Sequence, residues 1–195
     1  MPKSSIGLRA KTARAIAVVL SGPPVSPHVT LRRELTLRDP AVRATFQPFH
    51  EVMDLPWPKA MQAARKTASV IKTVSEKALR ALLEEAREAG IAISGVGIVG
   101  SPDRDLAKIG NPHMRAHAAE GCLFRKVLED AADACSLSHS LFLERELYDH
   151  AAAVLKLSTA QVKTRIQSLG EAVGPPWRAD EKAAAAAAWI VLAIQ

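Results

Sequence analysis

The sequence has few aromatic residues and few cysteines, and each shortage narrows the choice of protein class. Aromatic residues make up 4% of the 195 positions, so alanine and the aliphatic residues must fill the core. The two cysteines, Cys122 and Cys135, have no CxxC pair and no Cys/His quartet around them. A cysteine-based zinc module is therefore not expected, and both side chains should pack as small core residues.

Long hydrophobic runs are also missing. The apolar run Ala15–Leu20 is shorter than the core of a signal peptide, and it is more typical of a buried strand. The closing run from Ala183 to Ile194 is too short to span a bilayer. We therefore expect no membrane contact and a cytoplasmic location.

The charge is basic but is not concentrated in a tail. The chain carries 26 Lys and Arg against 20 Asp and Glu, a formal net charge of +6. This balance is compatible with binding nucleic acid or another polyanion, and equally with ordinary solvated faces. One helix, described below, has a basic side formed by Lys59, Arg65, Lys66, Lys72, Lys77 and Arg80.

The first half of the chain predicts a basic arm followed by strands. Residues 1–13 are expected to form a flexible basic arm, and residues 14–195 a single domain. Ala15–Leu20 and the alternating segment Val29–Leu37 predict a hairpin with a proline-rich connection. Phe46–Met53 is a candidate third strand, although Pro48 interrupts it.

The remainder alternates between helical and strand patterns. Apolar residues at three- and four-residue spacing predict one long helix, or two, from Lys59 to the stop at Gly90. Ile91–Val99 predicts a central strand whose glycines mark a close approach by another backbone or a ligand. Further segments are a helix from Asn111 to about Cys135, a strand or helix start over 140–147, a helix ending at Gly170 and a final alanine-rich helix. This order predicts a mixed α/β sheet flanked by helices.

The end of the chain resembles a known family. The helix that begins near Val162-Lys163 and includes Arg165, followed by Asp180-Glu181-Lys182 and a run of alanines, is similar to the end of RuvC-type resolvases. The order of elements likewise resembles the RNase H superfold. This resemblance implies an RNase H-like mixed sheet, and it makes Lys163 and Arg165 candidate binding residues.

The resemblance also implies where a nuclease would hold its metal ions. In active members one acid lies on the first strand, another ends the strand after the long helix, and the rest lie on the last helix. Asp180 and Glu181 match the last position, and Asp103 is a candidate displaced substitute for the second. The segments 15–20 and 91–99 contain no carboxylate. A divalent ion, Mg²⁺ or Mn²⁺, is therefore expected only if the domain is catalytic, and Asp180 and Glu181 alternatively start a helix favourably.

A second set of candidate residues lies at the start of the helix that follows Asn111. His113 and His117 are one helical turn apart, so both project from one face of the helix, and Glu120 lies a further turn along. They predict a transition-metal site, while His113 and Arg115 at the helix N-terminus offer an anion site instead. A polar surface or an interface would use the same residues. The HExxH pattern of metalloproteases is absent, because position 114 is methionine.

Three functions follow from these patterns. The sequence favours a non-catalytic RNase H-like domain that binds nucleic acid or a protein partner. The first alternative is a protein-interaction or homodimerisation domain without nucleic-acid binding. The second is a metal-dependent nuclease with a rearranged acidic site made by Asp103, Asp180 and Glu181.

Overall fold

The computed structural model describes residues 3–195, which form one sheet and the helices packed on it. The strands are β1 Ser4–Lys11, β2 Arg14–Ser21, β3 His28–Thr36, β4 Ile93–Gly100 and β5 His139–Leu143. The α-helices are α1 Trp57–Glu88, α2 Pro112–Ala134, α3 Leu147–Leu155, α4 Thr159–Glu171 and α5 Ala179–Ile194. The predicted mixed α/β fold is confirmed.

The sheet order is β3-β2-β1-β4-β5, so β1 is the central strand. β1 pairs antiparallel with β2, which pairs antiparallel with β3, and this confirms the predicted hairpin. β1 pairs in parallel with β4, and β4 in parallel with β5. Because β1 and β4 run in the same direction, their carboxyl ends meet at one edge of the sheet.

The predicted flexible arm over residues 1–13 is wrong for the residues that the structure describes, and Met1 and Pro2 lie outside them. Residues 4–11 are the central strand, with Ile6 and Leu8 in the core on one face. Ser5, Gly7 and Arg9 lie on the other face, and the Ser5 hydroxyl donates a 2.6 Å hydrogen bond to the Ala188 carbonyl. Polar residues are stable in this buried strand because they have specific partners.

The predicted third strand over 46–53 is also wrong. This stretch, the 46–53 segment, consists of turns after a short 3₁₀ helix at Arg43–Thr45. The backbone N–H groups of Phe49 and His50 donate to the carboxylate of Glu120 rather than to a neighbouring strand. Phe49 packs with Ala64 and Ala116, which places the segment against α1 and α2.

The helix predictions are confirmed more closely. α1 is a single helix, and Asn111 caps α2 by accepting a 2.9 Å hydrogen bond from the Met114 N–H. The 140–147 pattern contains both candidate elements, because β5 ends at Leu143 and α3 begins at Leu147. Among residues 3–195, no helix is both long enough and apolar enough to cross a membrane.

The two faces of the sheet carry separate cores. On one face, side chains of β1 and β4 pack with Leu79 of α1 and with Phe124 and Leu128 of α2. On the other face, α5 is the layer next to the strands, and α3 and α4 belong to the same hydrophobic cluster. α5 lies unusually close, because a Cβ added at Gly7 would stand 1.8 Å from the Ala184 carbonyl oxygen. The expected backbone approach at the glycines of β4 is confirmed at Gly97, where an added Cβ would stand 2.7 Å from the Ala187 carbonyl oxygen.

Candidate functional site

A groove opens at the edge of the sheet where β1 and β4 end. Its volume is about 180 Å³, and we call it the basic groove because Arg9 and Lys11 line it. The loop after β4 contributes Ser101, and α2 contributes His117 on the opposite side. Open α/β sheets commonly bind ligands at the carboxyl ends of their strands. The groove therefore lies where this sheet is expected to bind a ligand.

Arg9 brings a buried positive charge to this edge of the central strand. Its side chain is 9% exposed, and its Nη2 donates a 2.5 Å hydrogen bond to the Glu144 carboxylate. Its Nε lies 3.6 Å from an oxygen of Asp180 at the start of α5. Buried charges are stable when they are paired, so Glu144 and Asp180 together hold the guanidinium in place.

Asp180 interacts with three cationic side chains. Besides Arg9, the ammonium of Lys11 lies 3.4 Å from one carboxylate oxygen, and a guanidinium nitrogen of Arg14 lies 3.7 Å from the other. Arg14 also forms a 2.6 Å ion pair with Glu34. The negative charge of Asp180 is thus balanced by protein cations, and its position in the first turn of α5 adds a favourable dipole interaction.

Glu181 has a local structural partner. Its carboxylate accepts a 2.9 Å hydrogen bond from the backbone N–H of Arg178, the residue before α5 begins. The side chain is 7% exposed. A glutamate at the third helical position that bonds back to the preceding backbone is a common way to satisfy a helix start. The expected alternative for this residue, starting a helix, therefore has a direct contact in the structure.

Asp103 lies in the loop after β4 and is 86% exposed. It pairs with Arg125 of α2, which also donates to Glu129. Among residues 3–195, the one group of three or more His, Cys, Asp or Glu ligand atoms within 4.8 Å of one another consists of histidines. The structure therefore does not bring Asp103, Asp180 and Glu181 together as a three-ligand metal site.

The histidine group joins two parts of the chain that are distant in sequence, and we call it the histidine cluster. His113 and His117 of α2 face each other with 3.1 Å between their Nε2 atoms. His50 of the 46–53 segment completes the cluster, and its ring centroid lies 5.1 Å from that of His113 and 4.5 Å from that of His117. The predicted shared face of His113 and His117 is thus confirmed, and His50 is an additional member.

Glu120 lies behind this cluster rather than in it. Its side chain is 1% exposed, and its Oε1 is 2.8 Å from Nδ1 of His50. In this pair the carboxylate oxygen is the acceptor and the Nδ1–H of His50 is the donor. Within residues 3–195, the other oxygen of Glu120 and the Nε2 of His50 are both buried without a hydrogen-bond partner.

Arg115 contacts Trp57 and Gly110. Its guanidinium lies 5.6 Å from the centre of the Trp57 ring, and it donates a 3.3 Å hydrogen bond to the carbonyl of Gly110. Arg115 therefore connects the start of α2 with the start of α1. Neither contact involves His113, so the anion site expected from His113 and Arg115 stays a prediction.

Lys163 and Arg165 lie on α4, across the sheet from the histidine cluster. The ammonium of Lys163 is 5.4 Å from the Tyr148 ring centre. Burial, together with the nearby charge of Glu144, raises the pKa of that tyrosine. Arg165 and Trp189 line a separate groove of about 390 Å³ beside the loop before β3. The structure thus separates these two candidates from those on α2.

Sequence reasoning missed His50 and Arg9. His50 lies in a segment predicted to be a strand, and it meets Glu120 across a separation of 70 positions. Arg9 lay within the predicted arm. A histidine and an arginine in such segments carry no periodic signal, so only the tertiary fold identifies their partners.

Two solved structures of RuvC from Thermus thermophilus share this architecture. One is RuvC in complex with a Holliday junction substrate, at 9% identity and a TM-score of 0.54, covering 96% of this chain and 91% of that chain. The other is at 8% identity and a TM-score of 0.52, covering 96% and 92%. No protein-family model and no curated protein matches the sequence. The fold is therefore RNase H-like, and at this identity the likeness extends to the fold alone.

Proposed function

We propose that this chain is a RuvC-like member of the RNase H-like fold that binds nucleic acid along the basic groove and does not cleave it. The observation that supports this most directly is the contact of Arg9 with Asp180, 3.6 Å apart. The family resemblance implies that active members use acids on the first strand and the last helix to share divalent ions. In this chain β1 has no carboxylate, and it presents a guanidinium to the acid of α5.

The exposed cations around this contact favour a polyanionic ligand. Lys11 and Arg14 have side chains that are 37% and 40% exposed, so they are accessible to a phosphate backbone while they flank Asp180. The whole chain has a net charge of +6. Binding of this kind releases counterions, so its affinity falls steeply as salt rises.

The first experiment is a binding and cleavage assay on defined DNA. Because one of the RuvC structures contains a Holliday junction, the panel should compare a labelled four-way junction with duplex and single-stranded DNA. Fluorescence anisotropy between about 50 and 200 mM salt should give a linear decrease of log affinity with log salt. Incubation with Mg²⁺ or Mn²⁺ should leave each substrate intact.

The opposite outcomes identify the alternatives. Absence of binding at low salt would favour a protein-interaction or homodimerisation domain. Cleavage in Mg²⁺ or Mn²⁺ would favour a nuclease with a rearranged site.

Paired variants locate the binding surface. The double variant Lys11→Gln/Arg14→Gln should weaken binding and reduce the salt slope by up to about two, since about 0.9 is lost per phosphate contact. The double variant Lys66→Gln/Lys77→Gln removes the same charge from the exposed side of α1 and should change little. If the α1 pair weakens binding and the Lys11/Arg14 pair does not, the basic side of α1 is the interface and the proposed binding surface beside Asp180 is wrong.

A further inference from the structure

The spacing of the histidine cluster matches a metal-binding site. The candidate ligand atoms of His50, His113 and His117 all lie within 4.8 Å of one another. In a tetrahedral site with metal–nitrogen bonds of about 2.0–2.1 Å, neighbouring nitrogens stand about 3.3 Å apart. The observed 3.1 Å between the Nε2 atoms of His113 and His117 is close to that value.

His50 is oriented as a metal ligand would be. Its Nδ1 donates to the Glu120 carboxylate at 2.8 Å, which leaves Nε2 as the ring nitrogen that can bind a metal ion. That Nε2 is buried and has no hydrogen-bond partner within residues 3–195. Metal-binding histidines commonly donate their second nitrogen to a carboxylate, which fixes the ring and makes it a stronger ligand.

The charges around the cluster also favour a cation. Glu120 is 1% exposed, and within the described residues one of its oxygens has no partner. A buried carboxylate is costly unless a positive charge lies nearby. The side chains of His113 and His117 are exposed, which gives an ion a route from solvent.

We propose that His50, His113 and His117 bind one transition-metal ion, with Zn²⁺ as the best match, and that Glu120 is a positioning residue for His50. Imidazole ligands suit Zn²⁺, Ni²⁺ and Cu²⁺ rather than Mg²⁺ or Ca²⁺. Within residues 3–195 no fourth His, Cys, Asp or Glu joins the group, so a fourth position remains for water or another small ligand. The ion ties the 46–53 segment to α2 beside the basic groove. Metal binding at these histidines requires no nucleic acid.

The direct test is titration of chelator-treated full-length protein with Zn²⁺. Calorimetry should give one ion per chain, and the thermal midpoint should rise with Zn²⁺ concentration. Co²⁺ should bind in competition with Zn²⁺ and show the visible absorption of a tetrahedral site. Mg²⁺ should neither bind tightly nor displace Co²⁺. A chain that binds no Zn²⁺, or binds several ions weakly, would overturn the proposal.

Substitutions distinguish a three-histidine site from weaker Zn²⁺ binding by the two histidines of α2 alone. His113→Gln and His117→Gln should each weaken Zn²⁺ binding at least tenfold, whereas the exposed His28→Gln should have no effect. His50→Gln is decisive, because a site made by α2 alone would keep its affinity in that variant. If His50→Gln disturbs folding, a weaker Zn²⁺ affinity and a changed Co²⁺ spectrum in the folded Glu120→Gln variant replace this test, because Glu120 contacts the site through His50.

Glu120→Gln tests the positioning role. It should keep the one-to-one stoichiometry and weaken Zn²⁺ binding by about tenfold to a hundredfold, the usual range for carboxylates behind a ligating histidine. A purely structural Glu120 would leave the Zn²⁺ affinity and the Co²⁺ spectrum of the folded variant unchanged.

Discussion

Helices α5 and α2 cover opposite faces of the same strands, but they contact them differently. α5 packs through its backbone, since the carbonyl of Ala184 occupies the space above Gly7. α2 packs through large side chains, with Phe124 and Leu128 in the same core as Ile6. The α5 side therefore leaves no room for an added atom at Gly7, whereas the α2 side is a core of interlocking side chains.

The polar groups beside the two helices also differ in whether they have partners within the protein. At α5, Asp180 has three cationic neighbours and Glu181 bonds to the backbone before the helix. At α2, the Nε2 of His50 and one oxygen of Glu120 are buried without a hydrogen-bond partner in the described part of the chain. The acids at the start of α5 are thus paired within the protein, while the histidine cluster and Glu120 have two polar atoms without a hydrogen-bond partner in the described residues.

The largest expected effect comes from adding one methyl group under α5. In Gly7→Ala the new Cβ would collide with the Ala184 carbonyl oxygen, and a backbone atom cannot rotate away. We expect a loss of about 3 kcal/mol in the free energy of unfolding, measured by urea denaturation. Gly110→Ala is the matched control, since nothing lies within 4 Å of its added Cβ. Equal stability of the two variants would contradict the tight packing of α5.

The next effect tests the buried carboxylate of α2. Glu120→Leu removes the acceptor for the backbone N–H groups of Phe49 and His50 and for the His50 ring. Leaving these donors unpaired should cost about 2–3 kcal/mol, measured by thermal unfolding in the presence of a chelator. Glu120→Gln keeps an acceptor oxygen and should lose much less. A Leu variant as stable as the Gln variant would show that the 46–53 segment is held by apolar contacts alone.

Asp180→Asn tests the ion pairs between the start of α5 and the cations beside it. The change leaves Arg9, Lys11 and Arg14 without a shared counter-charge, so the repulsion that opposes a phosphate near them falls. A unit charge interacts by about 1 kcal/mol at 4 Å in water, so DNA affinity should rise about fivefold at low salt. Anisotropy with the four-way junction measures this. Weaker binding, or the loss of a Mg²⁺-dependent cleavage shown by the unchanged protein, would instead make Asp180 a functional ligand.

The smallest expected effect concerns the ion pair between Asp130 of α2 and Lys72 of α1. Burial alone would raise the pKa of Asp130, but ion pairs with Lys72 and Lys126 outweigh it, and the pKa is lowered. A lowered pKa in the folded state adds stability that is present above the ordinary aspartate range and is lost as the pH falls through the folded value. Asp130→Asn should lower stability at neutral pH by about 0.5 kcal/mol. The two proteins should converge in acid unfolding curves, and a constant difference would exclude the ion pairs as its cause.

The regular parts of the fold could be predicted from local patterns. The spacing of apolar residues is strong over α1, and Asn111 before Pro112 marks the start of α2. The interpretation of glycine in β4 as a close backbone approach is confirmed, because an added Cβ at Gly97 would stand 2.7 Å from the Ala187 carbonyl. These signals are local, so neighbouring residues suffice to reveal them.

The remaining features depend on contacts between distant positions. β1 was missed because Ser5 and Arg9 suggest exposure, whereas in the fold each has a partner on α5. The pair on α2 was predicted from its one-turn spacing, but His50 reaches it from a separate segment. No periodicity connects such residues, so the composition of the candidate sites required the three-dimensional structure.

The contact between Ser5 and Ala188 also determines when folding can be completed. The two residues are separated by 183 positions, and the central strand rests on a helix that is translated much later. Until α5 emerges from the ribosome, one face of β1 has no covering layer. Contacts of such long sequence separation slow folding, because the chain must close a large loop before they form. The domain is therefore expected to fold after translation of residue 194, and shortened chains without α5 should stay unfolded or aggregate.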